Sequence, residues 1–142
     1  MLQRSLRALV LAVLAFALAA CGGGEDASEN GSPAASEPRA AVLVTRDCGR
    51  EVVVERTAVP AGGTALQALD RVAEVETDSG GRFVTAVEGV EQDESKRLAW
   101  LFYVNGKMAE KGAAEVTLEA GDVQWWDLHD WEETCRVPSA AQ

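Results

Sequence analysis

The sequence is poor in the residues on which most active-site chemistry relies. Its 142 residues include one histidine, one tyrosine, two methionines and three cysteines, and aromatic residues make up only 6%. The single histidine, His129, is the only imidazole available as a general base. One imidazole also lacks the spacing of a zinc site. Its neighbours Asp127, Asp130, Glu132 and Glu133 make the segment read as a solvated acidic loop. No glycine-rich phosphate cradle opens a helix, since Gly22-Gly23-Gly24 leads into a polar stretch. Ser79 lacks the Gly-x-Ser-x-Gly setting of a hydrolase nucleophile. The chain therefore reads as a non-enzyme with no metal site. Positive charge is scarce as well: 13 basic residues face 23 acidic ones, for a net charge of -10. Such a surface repels phosphate backbones, which argues against nucleic acid as a partner.

A long apolar run is also missing. The stretch Ala8 to Ala20 follows Arg4 and Arg7 and is too short to span a bilayer comfortably. A charged start followed by a short apolar run is the pattern of a secretory signal. It closes on Leu18-Ala19-Ala20-Cys21, which resembles the bacterial lipoprotein lipobox. The resemblance implies a signal peptide over residues 1–20, cleavage before Cys21, and acyl chains of the palmitate type on Cys21. Two or more acyl chains anchor a protein stably where one would not. The expected location is the cell membrane, with the chain lipid-anchored on the extracytoplasmic side.

If Cys21 is lipidated, Cys48 and Cys135 are the remaining pair, outside the reducing cytoplasm, and are expected to form a disulfide. The competing reading is two free thiols. Residues 21–39 carry Gly, Ser, Pro, Ala and acids but no large apolar side chain, so they read as a disordered tether. A coil of that length spans roughly 20–25 Å. Residues 40–142 are the folded domain, long enough to bury a single core.

Within it, Trp100-Leu101-Phe102-Tyr103-Val104 packs three aromatic residues into four positions and ends in Asn105-Gly106. This is a strand closed by a tight hairpin turn. Trp100, Phe102 and Val104 share one face, and Leu101 and Tyr103 the other, so the strand should be covered on both sides. Other strands are expected at Ala41–Thr45, Val52–Val54, Phe83–Val87, Val116–Leu118 and Val123–Asp127, with a short return at Lys107-Met108. Thr64 with Gln67 forms a capping-box pattern. It opens a helix whose apolar face carries Leu66, Leu69 and Ala73. Residues 78–81 and 91–97 read as loops. The economical architecture is α+β: one sheet with a single helix packed across it.

Four segments in order carry a family resemblance: residues 59–69, residues 81–90, residues 100–106 and residues 118–127. They resemble a bacterial domain of unknown function related to the carboxy-terminal domain of transcobalamin and intrinsic factor. The resemblance implies a β-grasp-like fold, one mixed sheet with a helix across it. It also makes a corrinoid one candidate ligand, although the helical domain that holds the corrinoid in those carriers has no counterpart here. Fold kinship alone transfers no activity.

Trp125 and Trp126 are adjacent on a strand and must face opposite ways. One should be core; the other is exposed or covered by the terminal segment. Tyr103, Trp131 and the outward member of that pair are expected to form a solvent-reachable aromatic platform, with Asn105 and Asp127 orienting a ligand. The alternative is that all these rings are core, with Trp131 stapling the terminal segment. The function expected is a lipid-anchored binding module for a small molecule or an envelope protein. The runner-up is a structural or protein-interaction domain without a small-molecule ligand.

Overall fold

The computed structural model describes residues 36–78 and 80–142. The expected signal peptide over residues 1–20, the expected lipidation at Cys21 and nearly all of the expected tether lie outside the described residues.

The main sheet has five strands in the order β2-β1-β8-β6-β7: β1 is Arg39–Arg46, β2 Glu51–Pro60, β6 Leu98–Val104, β7 Lys107–Met108 and β8 Val123–Asp130. It is mixed. β1 and β8 run parallel at its centre, and the remaining pairs are antiparallel. A second, antiparallel sheet has the order β3-β4-β5, from Val75–Thr77, Val84–Val87 and Val90–Glu91. The single α-helix among the described residues, α1, is short, Ala65–Asp70. The protein is thus mostly β, with one large mixed sheet and one short helix.

Local chemistry accounts for the framework. β6 occupies the expected residues, and Asn105 and Gly106 turn the chain with φ of 50° and 78°, the left-handed pair a two-residue hairpin requires. The capping box forms as expected: the Thr64 hydroxyl accepts from Gln67 N–H at 3.2 Å, and the Gln67 side chain accepts from Thr64 N–H at 3.0 Å. The helix ends at Asp70, before Ala73, and Val72 and Ala73 are bonded back to the Leu69 carbonyl. The chain then enters β3, a strand not expected from sequence. Val116–Leu118 forms no strand of its own; it makes one bridge, Thr64 to Thr117, against the entry to the helix.

Each face of the main sheet has its own core. On the first, Val42, Val44, Trp100, Phe102, Trp126 and Leu128 pack with Ala65, Ala68 and Leu69 of α1 and with Val84 and Val87 of β4. On the second, Leu43, Tyr103, Val123 and Trp125 pack against Cys135 and Ala141 of the carboxy-terminal segment. Register ties the two together. Phe102 lies opposite Trp126 and Tyr103 opposite Trp125, and in each pair the rings stack at 4.7 Å, on opposite sides of the sheet.

Candidate functional site

A concave site lies on the first face. A cavity of about 380 Å³ is lined by Trp100, Phe102 and Trp126 from the sheet, by Arg82 and Phe83 at the head of β4, by Met108 of β7, and by residues 109–113 and Glu115 beyond it. Three features mark it. Phe83 and Met108 are 64% and 52% exposed on its rim, an unusual investment of large apolar side chains in solvent. Trp126 in its wall is buried, yet its indole N–H has no hydrogen-bond partner among the described residues. The rim is also charged, with Arg82 and Lys111 beside Glu110 and Glu115. Trp100 differs from Trp126: its indole N–H donates to the Val90 carbonyl at 3.0 Å. Gln124, next along the same face, donates to the Ala65 carbonyl at 3.0 Å, while its own oxygen is unpaired.

The second face holds a buried polar network. The Asp127 carboxylate accepts from the Thr45 hydroxyl, from Cys48 N–H at 3.0 Å, from Gly49 N–H at 2.8 Å, and from His129 Nδ1 at 2.9 Å. Trp125 Nε1 donates to the Thr45 hydroxyl oxygen at 2.6 Å. With Nδ1 donating to Asp127, His129 Nε2 is left to accept from the Tyr103 hydroxyl, 3.4 Å away. Asp47, Cys48 and Gly49 all have positive φ, so successive backbone N–H groups converge on one carboxylate as in an anion nest. Burial raises the Tyr103 phenol above its ordinary value, and the nearby Asp127 charge adds to the effect. Cys48 and Cys135 are joined in a disulfide with Cα atoms 5.1 Å apart, so the free-thiol alternative is set aside. Both sulfurs and an Asp127 carboxylate oxygen lie within 4.8 Å of one another. The bond between the sulfurs withholds both thiolates from any metal.

This geometry corrects two expectations. His129 is not on a solvated loop: β8 runs three residues further than expected, and the imidazole is buried within the fold. Nor do Tyr103, Trp131 and one of the Trp125–Trp126 pair make a solvent-reachable platform. Tyr103, Trp125 and Trp126 are 6%, 0% and 2% exposed, and Trp131 alone, at 44%, reaches solvent. Both members of the tryptophan pair are covered, one by each core. Asp127 is committed to the network. Asn105 holds the hairpin, donating to Asp122 at 2.7 Å and accepting from Val123 N–H at 2.9 Å. Of the residues expected to bind a ligand, Trp126 lines the main cavity, and Trp131 lines a second hollow with Phe83, Leu98 and Trp100. Phe83 and Met108 had not been singled out as site residues. The only sequence signal for them is a large apolar residue beside a Gly-Gly-Arg loop and one just past a hairpin turn.

Fold and site together define a small mixed-sheet domain with a cavity between its main sheet and the elements packed on it. Residues 62–130 match the family model of a domain of unknown function, DUF4430. Two solved structures share the fold. One is a candidate metal-binding protein from Ruminococcus gnavus ATCC 29149, with a TM-score of 0.52 at 20% identity over 66% of this chain and 98% of that one. The other is haptocorrin in complex with Cbi, with a TM-score of 0.54 at 16% identity over 66% of this chain and 25% of that one. The likeness therefore spans a quarter of haptocorrin. No curated protein matches the chain.

Proposed function

We propose that the chain is a lipid-anchored, extracytoplasmic binding module whose ligand enters the cavity between Trp126, Phe102, Phe83 and Met108. The observation that carries this reading is the Trp126 indole N–H, buried in the cavity wall without an acceptor. A buried donor with no partner costs about 1–3 kcal/mol, and a ligand carbonyl or carboxylate would remove that cost. The cavity, about 380 Å³, is at the small end of ligand sites. It accommodates a small, partly apolar molecule or one edge of a larger one. Arg82 and Lys111 on the rim suit an anionic substituent.

A concave pocket supports small-molecule binding over the purely structural alternative, which a flat patch would have favoured. The β-grasp-like reading of the fold is supported by the parallel pairing of the first and last strands at the sheet centre, with a hairpin on either side. Haptocorrin shares the fold and was solved with Cbi, so a corrinoid is one ligand to test. It would seat only an edge in a cavity this size. The reading is of binding without turnover: His129, the single imidazole, is held on the opposite face of the sheet. Anchoring rests on Leu18 to Cys21; acyl groups on Cys21 by mass spectrometry, lost in Cys21→Ser, test it.

The ligand test is a thermal-shift and tryptophan-fluorescence screen of the full chain against cobinamide and smaller aromatic carboxylates. Trp126→Phe keeps a ring in the wall and removes the N–H. It should weaken any ligand found by about tenfold, the worth of one buried hydrogen bond. Unchanged affinity in Trp126→Phe would show that the ligand sits elsewhere.

A further inference from the structure

The main sheet has an edge that is not closed. The Arg97 carbonyl accepts from Trp131 N–H, and Asn105 N–H donates to the Val123 carbonyl. These bonds fix the odd-numbered residues of β6 toward β8, so Leu98, Trp100, Phe102 and Val104 turn their backbone groups away from it. On that far side, Leu98 exchanges both its bonds with Asp93, at 2.9 and 3.0 Å, and the Phe102 carbonyl accepts from Ala109 N–H at 3.0 Å. β7 pairs only at Tyr103 and Val104. Among the described residues, the N–H and C=O of Trp100 and the N–H of Phe102 have no backbone partner on this edge.

Folded proteins usually guard such an edge with charge or proline, or by covering it. Here charged residues rim the edge, but large apolar side chains stand beside it as well. The large apolar side chains exposed among the described residues are Val52, Phe83, Met108 and Trp131, and the last three all border this stretch of β6. The cavity near Met108 and the hollow near Trp131 share Phe83, Val84, Trp100 and Leu101, so they adjoin along the open edge.

We infer that this edge receives an extended peptide segment of a partner protein, which pairs with β6 over the short gap at Trp100, between Asp93 and Ala109, and leaves the sheet on either side. The three unpaired backbone groups of Trp100 and Phe102 match a peptide main chain. The two hollows, one at each end of this unpaired stretch, would take its apolar side chains. The hollow at the Trp131 end carries Asp78 and Glu94, and the chain as a whole has a net charge of -10, so the segment is one with lysine or arginine near that end. The same charge disfavours a second copy of this chain as the occupant. The inference rests on the binding-module reading and names a partner class for the same groove.

The probes are synthetic peptides of about six residues that alternate valine and threonine, with lysines at one end or the other and both termini blocked. They are added to the full chain. Expected are saturable binding, amide exchange at Trp100 and Phe102 slowed at least about tenfold, and loss of binding when alternate peptide nitrogens are methylated. Phe83→Ala and Met108→Ala, both exposed, should each weaken binding by about tenfold while leaving the melting temperature in place. The inference is overturned if no peptide binds, if methylated and unmethylated peptides bind equally, or if the Trp100 and Phe102 amides are not protected. It is overturned too if sedimentation shows that the peptide-free chain dimerises through this edge. A small molecule that still depends on Trp126 would leave the ligand reading intact when the peptide test fails.

Discussion

Removing the Cys48–Cys135 bond should cost the domain a large part of its stability. The two residues are 87 apart in sequence. In the chain-entropy model, a loop of that length constrains the unfolded chain by about 4–5 kcal/mol. A domain of roughly 100 residues unfolds with an entropy near 0.2 kcal/mol/K, so the melting temperature should fall by about 20 °C. The double variant Cys48→Ala/Cys135→Ala leaves Val137, Ala141, Tyr103 and Trp125 in place, so it removes the covalent link without truncating the side chains packed around it. Thermal melts followed by circular dichroism, on the oxidised protein and on the double variant, give the number directly. A fall of less than about 5 °C, equivalent to roughly 1 kcal/mol, would refute the reasoning. It would mean that side-chain packing alone holds the carboxy-terminal segment on the sheet. Hydrogen exchange would then show the amides of residues 135–141 protected equally in both proteins.

Three further outcomes follow from the geometry. Tyr103 is the only tyrosine, so tyrosinate absorbance reports it alone. Its folded pKa is raised above 10.0 by burial and then by Asp127, so the stability it contributes is complete below pH 10.0 and is lost as pH rises through the folded pKa; titration at the ordinary value in the folded protein would contradict the burial. Asp127→Asn places an amide N–H₂ where four donors converge and should cost at least about 3 kcal/mol in urea unfolding; unchanged stability would show that the network does not hold the first hairpin turn. Gly106→Ala puts a side chain at φ 78° with Val137 Cγ1 3.6 Å from its Cβ, and should destabilise by about 1–2 kcal/mol by the same assay.

Much of the frame was legible because its signals are local. Alternation along Trp100 to Val104 gave a strand with two apolar faces, Asn105-Gly106 gave its turn, and Thr64 with Gln67 gave the helix start. What was missed depends on contacts distant in sequence. β3 was unreadable because Val75-Glu76-Thr77 is too short to show a period, and it becomes a strand only through its pairing with β4. His129 reads as exposed beside so many acids, but β8 continues past Asp127 and buries it. The platform failed for a related reason. Adjacent tryptophans were correctly placed on opposite faces, but which face meets solvent is decided by residues 131–142. That segment has no periodic pattern, and the disulfide and Ala141 bring it over Trp125. The cavity was least legible, because it is a space between segments rather than a property of any one of them.

The two faces of the sheet do different work, and the polar atoms show the division. On the second face, the side-chain groups of Thr45, Trp125, Asp127 and His129 are all satisfied, and a covalent link closes the edge of the cluster. Satisfied networks of this kind rigidify a fold and fix one arrangement. On the first face, Trp126 Nε1 is left unpaired in the cavity wall, and Phe83 and Met108 stand in solvent on the same rim. A domain this small has little stability to spare, so orphaned polar atoms and exposed rings are tolerable only if the deficit is made up elsewhere. The linkage of β1, β8 and the carboxy-terminal segment through Asp127 and the disulfide is where it is made up. The inconsistencies then fall together at one groove, as they do where a fold accepts local cost for recognition. Stabilising the first face, for instance by supplying Trp126 with an intramolecular acceptor, would on this argument raise the melting temperature and lower the affinity for whatever the groove binds.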